Sequence, residues 1–126
     1  MNRVIFKTGL VVVMSALLIV CGCGKKADTT KPIPEVKAEA EKMDASQLRS
    51  MAMTYKDAIT AKMQEVTQET AKLKEIPIAD VMGEKAKELK AKIDEFQKQV
   101  DALKERLQVY VDELKKKGGD ISGLQV

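Results

Sequence analysis

Three groups of side chains in this chain have the types and spacing to do chemistry: Cys21-Gly22-Cys23, Met51-Ala52-Met53 with Met63, and the adjacent carboxylates Asp94-Glu95 and Asp112-Glu113. Thioethers are soft ligands suited to Cu(I), but residues two apart on a helix point in different directions, so Met51 and Met53 cannot close on one ion. Core packing or an adaptable surface is the better reading of these methionines. Neighbouring carboxylates on a helix diverge by about 100°. With no apolar pocket evident in the sequence to raise either pKa, both pairs read as solvated. The two thiols, separated by a single residue, cannot easily reach disulfide geometry, and residues 24–126 contain no other cysteine.

The chain has no histidine, which removes the commonest general base and the commonest transition-metal ligand together. No G-x-S-x-G, P-loop or G-x-G-x-x-G run is present. The expectation is therefore a protein that is not an enzyme, with no catalytic residues, no metal site and no cofactor. The formal charge is +3, with 22 basic and 19 acidic residues. Two of those excess positive charges, Arg3 and Lys7, belong to a separate N-terminal segment. Without them the balance is too even, and Tyr55, Phe96 and Tyr110 are too few as aromatics, for nucleic-acid binding to be expected.

That segment has its own composition. Met1 to Lys7 is basic without an acidic residue, and Thr8 to Val20 is almost wholly apolar. The apolar run is shorter than the roughly 20 residues a helix needs to cross a bilayer, so it reads as a removable leader. Val20-Cys21-Gly22-Cys23 follows directly, and it resembles the lipobox of bacterial lipoproteins: an aliphatic residue, a tolerant position, a small residue and the cysteine that receives lipid. Cys23 fits better than Cys21, because Gly22 supplies the small residue beside the scissile bond where Cys21 would have Val20. The resemblance implies cleavage between Gly22 and Cys23, acyl chains such as palmitate on Cys23, and a membrane partner reached through that lipid. It also implies a place in the bacterial cell envelope. Gly24, where an aspartate would retain the protein at the inner membrane of enteric bacteria, resembles the pattern sent to the periplasmic face of the outer membrane. The layout of a helical body after an anchor is similar to murein lipoproteins, but the chain ends Leu124-Gln125-Val126 without their C-terminal lysine.

The elements that follow divide the chain into a leader (1–22), a lipidated tether (23–34), a helical domain (35–118) and a tail (119–126). Pro32, Pro34 and small polar residues make the tether extended, with a reach of about 30 Å at ~3 Å per residue. Ile33, Val36, Ala40 and Met43 repeat as one face of a short helix over 35–43. Asp44 and Gln47 have the spacing of a capping box, which starts a helix over 45–75 carrying Leu48, Met51, Ala52, Tyr55, Ile59, Met63, Val66 and Leu73. Pro77 ends it, and Asp80 is placed to cap the next.

The next helix, over 81–117, has the most regular pattern in the chain. Met82, Ala86, Leu89, Ile93, Phe96, Val100, Leu103, Leu107, Tyr110 and Leu114 are spaced alternately four and three apart, a heptad seam. The Lys-rich end and Gly118-Gly119 stop it. A parallel pair of this helix with itself would set Lys85 against Lys90, which is unfavourable. Its partner is therefore expected to be the 45–75 helix, in an all-α, coiled-coil-like antiparallel hairpin; a single continuous rod is the alternative. Ile93, Phe96, Val100 and Leu103 are then expected to be buried. One hairpin seam buries little apolar surface, so a protein partner or self-association is expected, with Met51, Tyr55 and Met63 as the docking residues. The function classes consistent with this are a membrane-anchored structural or protein-interaction module and a chaperone-like adaptor gripping clients through a Met-rich stripe. The C-terminal Leu124-Gln125-Val126 either frays or serves as a ligand of the kind PDZ domains capture.

The lipobox reading predicts that Cys23→Ala leaves an unprocessed precursor or a protein no longer held to membranes, whereas Cys21→Ala is mild. Each acyl methylene contributes ~0.8 kcal/mol of partitioning, so several chains make a lasting anchor. Mass spectrometry and membrane fractionation check this; a Cys23→Ala protein of normal mass that stays in the membrane would refute it.

Overall fold

A computed structural model describes residues 26–126; the leader, Gly22 and Cys23 lie outside them. The described chain is all-helical. Helix α1 spans Ile33–Glu41, α2 Ala45–Lys74 and α3 Glu84–Lys116, with a single 3-10 turn at Ile78–Asp80 between the two long helices. The long helices pack against each other, and α1 packs on α3.

Local chemistry sets most of these boundaries. Pro32 precedes α1 and Pro34 lies in its first turn, where no amide proton is needed. The capping box at the start of α2 forms: the Asp44 carboxylate accepts the Gln47 amide at 2.8 Å, and Gln47 Oε1 accepts the Asp44 amide at 3.1 Å. The far end of α3 closes as a Schellman turn. Gly118, at φ 67°, lets its own amide reach the Lys115 carbonyl at 3.0 Å and the Gly119 amide reach Leu114 at 2.9 Å.

The start of α3 differs from expectation. The helix begins at Glu84, not residue 81, and Gly83 caps it without a side-chain hydrogen bond. Asp80 closes the 3-10 turn instead, its carbonyl accepting the Gly83 amide at 2.8 Å. Met82 is consequently outside the helix and 79% exposed, so the seam starts at Ala86.

The core is concentrated at one end of the helix pair. Leu48, Ala52, Tyr55 and Ile59 of α2 meet Val100, Leu103, Leu107, Tyr110 and Leu114 of α3, with Val36 and Ala40 of α1 and Met43 beyond it closing over them. The tail completes this base rather than fraying: Leu124 is buried among these residues and Ile121 packs beside it. Arg49 donates to the Ser122 carbonyl at 3.2 Å and pairs with Asp120, and Lys56 donates to the Gly123 carbonyl.

Toward the 3-10 turn only two helices remain and burial thins. Ile93 and Phe96 are half-buried, not core. The reason lies in α2, where stepping seven residues along from the buried Tyr55 reaches Lys62 and then Glu69. Those charged side chains take places where a seam needs apolar ones. Lys62 lies over the Phe96 ring at 4.7 Å, a cation–π contact that covers the ring without drying it.

This division predicts that Leu107→Ala costs about 3 kcal/mol or more, within the range for emptied leucine sites. Phe96→Ala should cost under about 2 kcal/mol, because its surface is already partly hydrated. Urea denaturation of both variants measures the difference; a larger loss for Phe96→Ala would place the core at the wrong end.

Candidate functional site

The residues preceding α1 are held as a strap across the helix pair. The Tyr55 hydroxyl accepts the Asp28 amide at 3.1 Å and lies 3.2 Å from the Asp28 carbonyl, placed to donate to it. Arg106 donates one guanidinium nitrogen to the Lys31 carbonyl and another to Ala102 at 2.7 Å. Asp28 ties the strap internally through the Thr30 amide and hydroxyl, both at 2.7 Å. Those two bonds hold the Asp28 carboxyl below the usual range. Lys31 reaches Glu39 of α1 at 2.7 Å, which raises the lysine's pKa. The expectation of an extended tether over 23–34 is therefore corrected: from Ala27, which packs on the core, the segment is docked.

Arg106 is 6% exposed and has no carboxylate partner among the described residues; its Nε has no hydrogen-bond partner. Its charge is met by backbone carbonyls, so removing the strap would leave a buried cation poorly solvated. Tyr55 and Tyr110 stack beneath the strap with ring centroids 5.4 Å apart. Burial, with smaller effects from Tyr55 and Glu39, pushes the Tyr110 phenol up to about 12.

Of the three residues expected to dock a partner, the structure brings Met51 and Tyr55 into the core and leaves Met63 half-exposed. Met51 and Tyr55 are unavailable to a partner because α1, the strap and the tail already cover that stretch of α2. A continuous methionine stripe is not formed: Met53, Met63 and Met82 are exposed at separate places. Met63 lines a shallow cleft of about 320 Å³ with Val66, Thr67, Gln97, Val100 and Lys104. At the end of the helix pair, Ile78 is 93% and Met82 79% exposed, an apolar tip outside the seam.

A hollow of about 1010 Å³ between α1 and α3 is an open trough with charged walls, including Lys37, Glu41, Glu105, Asp112 and Lys116. It encloses no convergent set of acid, base and nucleophile. Asp94 and Glu95 are exposed on α3, whereas Asp112 and Glu113 line the trough; Glu113 pairs with Lys116 at 3.0 Å and Asp112 accepts from Gln108 at 2.6 Å. Among the described residues no group of three or more Cys, Asp or Glu side chains could hold a metal ion, and no helix is long and apolar enough to cross a membrane. No family model, curated protein or solved structure matches this chain.

The strap contacts predict that Tyr55→Phe loosens residues 27–31 while the helices persist. Losing the hydroxyl's two hydrogen bonds should cost about 1–2 kcal/mol. Hydrogen exchange checks this: the Asp28 amide should exchange faster, with α3 amides protected as before. Unchanged exchange at Asp28 would show that the hydroxyl does not hold the strap.

Proposed function

We propose that this chain is a bacterial envelope lipoprotein, anchored through lipid on Cys23, whose body is an antiparallel coiled-coil-like hairpin acting as a protein-interaction module. The hairpin reading is supported by contacts along the pair. Arg49 at the start of α2 meets Asp120 just past α3, Lys62 lies on Phe96, and Lys72 and Glu75 share a cleft with Glu84 and Leu89. The carrying observation for an interaction role is the unequal completion of the body. The base is closed by α1, strap and tail, while the two-helix half keeps Phe96, Ile93, Val66 and Met63 only partly covered and ends in the bare Ile78 and Met82. Apolar surface left open beside a sealed core suits contact with a neighbour. The outer membrane, periplasmic side, is the proposed location, on the lipobox and Gly24.

The chaperone-like reading draws less support, because a client-gripping surface needs contiguous adaptable side chains and the methionines here are divided between core and separate surface points. A photo-crosslinking amino acid at Met63, in the full chain expressed in its membrane, tests the interaction role against one at Lys98 on the outer face of α3. Discrete adducts of reproducible mass at Met63 and none at Lys98 are expected. A smear of many masses would favour variable clients, and no adduct at Met63 or at the Ile78 tip would remove the interaction reading.

A further inference from the structure

The strap sets how far the body can stand from its anchor, and this inference rests on the proposed lipidation of Cys23. Only four peptide units separate Cys23 from Ala27, where docking begins; at ~3.3–3.6 Å each they span at most about 14 Å. The docking point lies part-way along the rod, at Tyr55 and Arg106. Tyr55 stands ten steps along α2 from its first residue, Ala45, or ~15 Å of helix at 1.5 Å per residue. The 42–44 turn and the tail add to that. Lys74 is nineteen steps further on from Tyr55, or ~29 Å. The leash is thus too short for the rod to stand on its base, and far too short for it to stand on its tip. It suffices only if the side bearing the strap lies at the headgroups.

That side can be followed along both helices. Residues seven apart share a line on a helix in a heptad seam, so Gln99, Lys92 and Lys85 continue from Arg106, and Lys62 and Glu69 continue from Tyr55. These lines meet where Lys62 covers Phe96 and where Glu69, paired with Lys72 at 2.7 Å, also feels Lys92, its carboxyl lowered chiefly by Lys72. Glu65 is likewise held by Lys62 at 2.7 Å. Glu65 and Glu69 are therefore neutralised in place, whereas Glu95 accepts only from Gln99 at 3.3 Å; Lys85 and Lys92 remain as cations. Their long side chains can keep charge at the headgroup level while their stems cover apolar surface. The Met63 cleft, with Thr67, Gln97 and Lys104, opens on the opposite flank.

We propose that the flank carrying Lys62, Phe96, Lys92 and Gln99 is a lipid-facing surface. The module lies on its side against the phospholipid headgroups of the membrane that holds its anchor, and the Met63 cleft is turned toward the aqueous side.

The test uses the full, processed chain in vesicles of zwitterionic and anionic phospholipid containing a headgroup spin label, with one fluorophore-bearing cysteine added at a time. Cys21 leaves with the leader and Cys23 is acylated, so each added thiol is unique. Probes go at Gln99→Cys on the strap flank and Thr67→Cys on the opposite flank. Quenching at the Gln99 position is expected to exceed that at Thr67 by about twofold or more, because a spin label quenches only at short range and each helix is about 10–12 Å across with its side chains, which sets the opposite flank back from the headgroups. A ten-residue Gly-Ser insertion between Lys26 and Ala27 lengthens the leash without altering the strap contacts, and should bring the two positions toward equality at unchanged melting temperature. Equal or reversed quenching in the parent, or a contrast that survives the insertion unchanged, would overturn the proposal. Intact mass separates the two readings: a chain without acyl chains on Cys23 defeats the anchor and this surface together, whereas an acylated chain with reversed quenching defeats the surface alone.

Discussion

The contact on which the rest of this body depends is the packing of Tyr55 of α2 against Tyr110 of α3. They are the two aromatic side chains of the core, and rings tilted at 31° with centroids 5.4 Å apart add specificity beyond area. The pair sits where four segments meet. Its rings join the long helices, α1 closes one flank, and the Tyr55 hydroxyl holds the strap. A phenol is suited to that place because its ring belongs to the core while its oxygen satisfies backbone groups of a segment that has no secondary structure of its own. Cations do the same work at the edges: Arg106 on Lys31, Arg49 and Lys56 on the tail, and Lys117 on the Glu41 and Met43 carbonyls.

Beyond that centre the two helices differ in what they bring to the seam. α3 is apolar at every heptad position from Ala86 to Leu114, whereas α2 carries Lys62 and Glu69 on the line that begins at Tyr55. A seam whose α2 side alternates Lys62 and Glu69 with Val66 and Leu73 still buries Ala86 and Leu89 but leaves Ile93 and Phe96 half-covered, so the two-helix half is held by fewer dry contacts and should open at lower free energy than the base. Lys62 limits the loss by holding its ammonium over the Phe96 ring and pairing it with Glu65.

The elements written by periodicity and capping were legible in the residues. The α2 capping box, the stop at Pro77, the α3 seam and the Gly118 turn all follow from local rules. What was not legible depends on contacts between segments far apart in sequence. Nothing near Asp28 announces that Tyr55 will bind it, so residues 27–31 read as a tether. Leu124, with only Ile121 and Val126 as apolar neighbours in the tail, gives no sustained period and read as a frayed end or an exposed C-terminal ligand. Tyr55 and Met51 read as surface for docking because the covering provided by α1, strap and tail cannot be inferred from α2 alone. Lys62 was the available clue to the thin half: a charge at a seam position of α2 already weakens the case for burying Phe96 opposite.

Under the proposed anchoring through Cys23, a body of this kind gains from being held at a membrane. The open flank around Met63 is small, and small interfaces rarely hold a partner in free solution against the loss of translational and rotational freedom. Confinement to one surface changes that balance, because two proteins tethered to the same bilayer meet at an effective concentration set by their leashes rather than by the bulk. A short leash strengthens the effect by limiting the orientations that the body samples. The features that look incomplete in an isolated chain, the half-filled seam and the bare Ile78 tip, are then adequate for contact with a co-anchored neighbour. The closed base, by contrast, must be stable without help, because it is what keeps the strap, and so the orientation, in place.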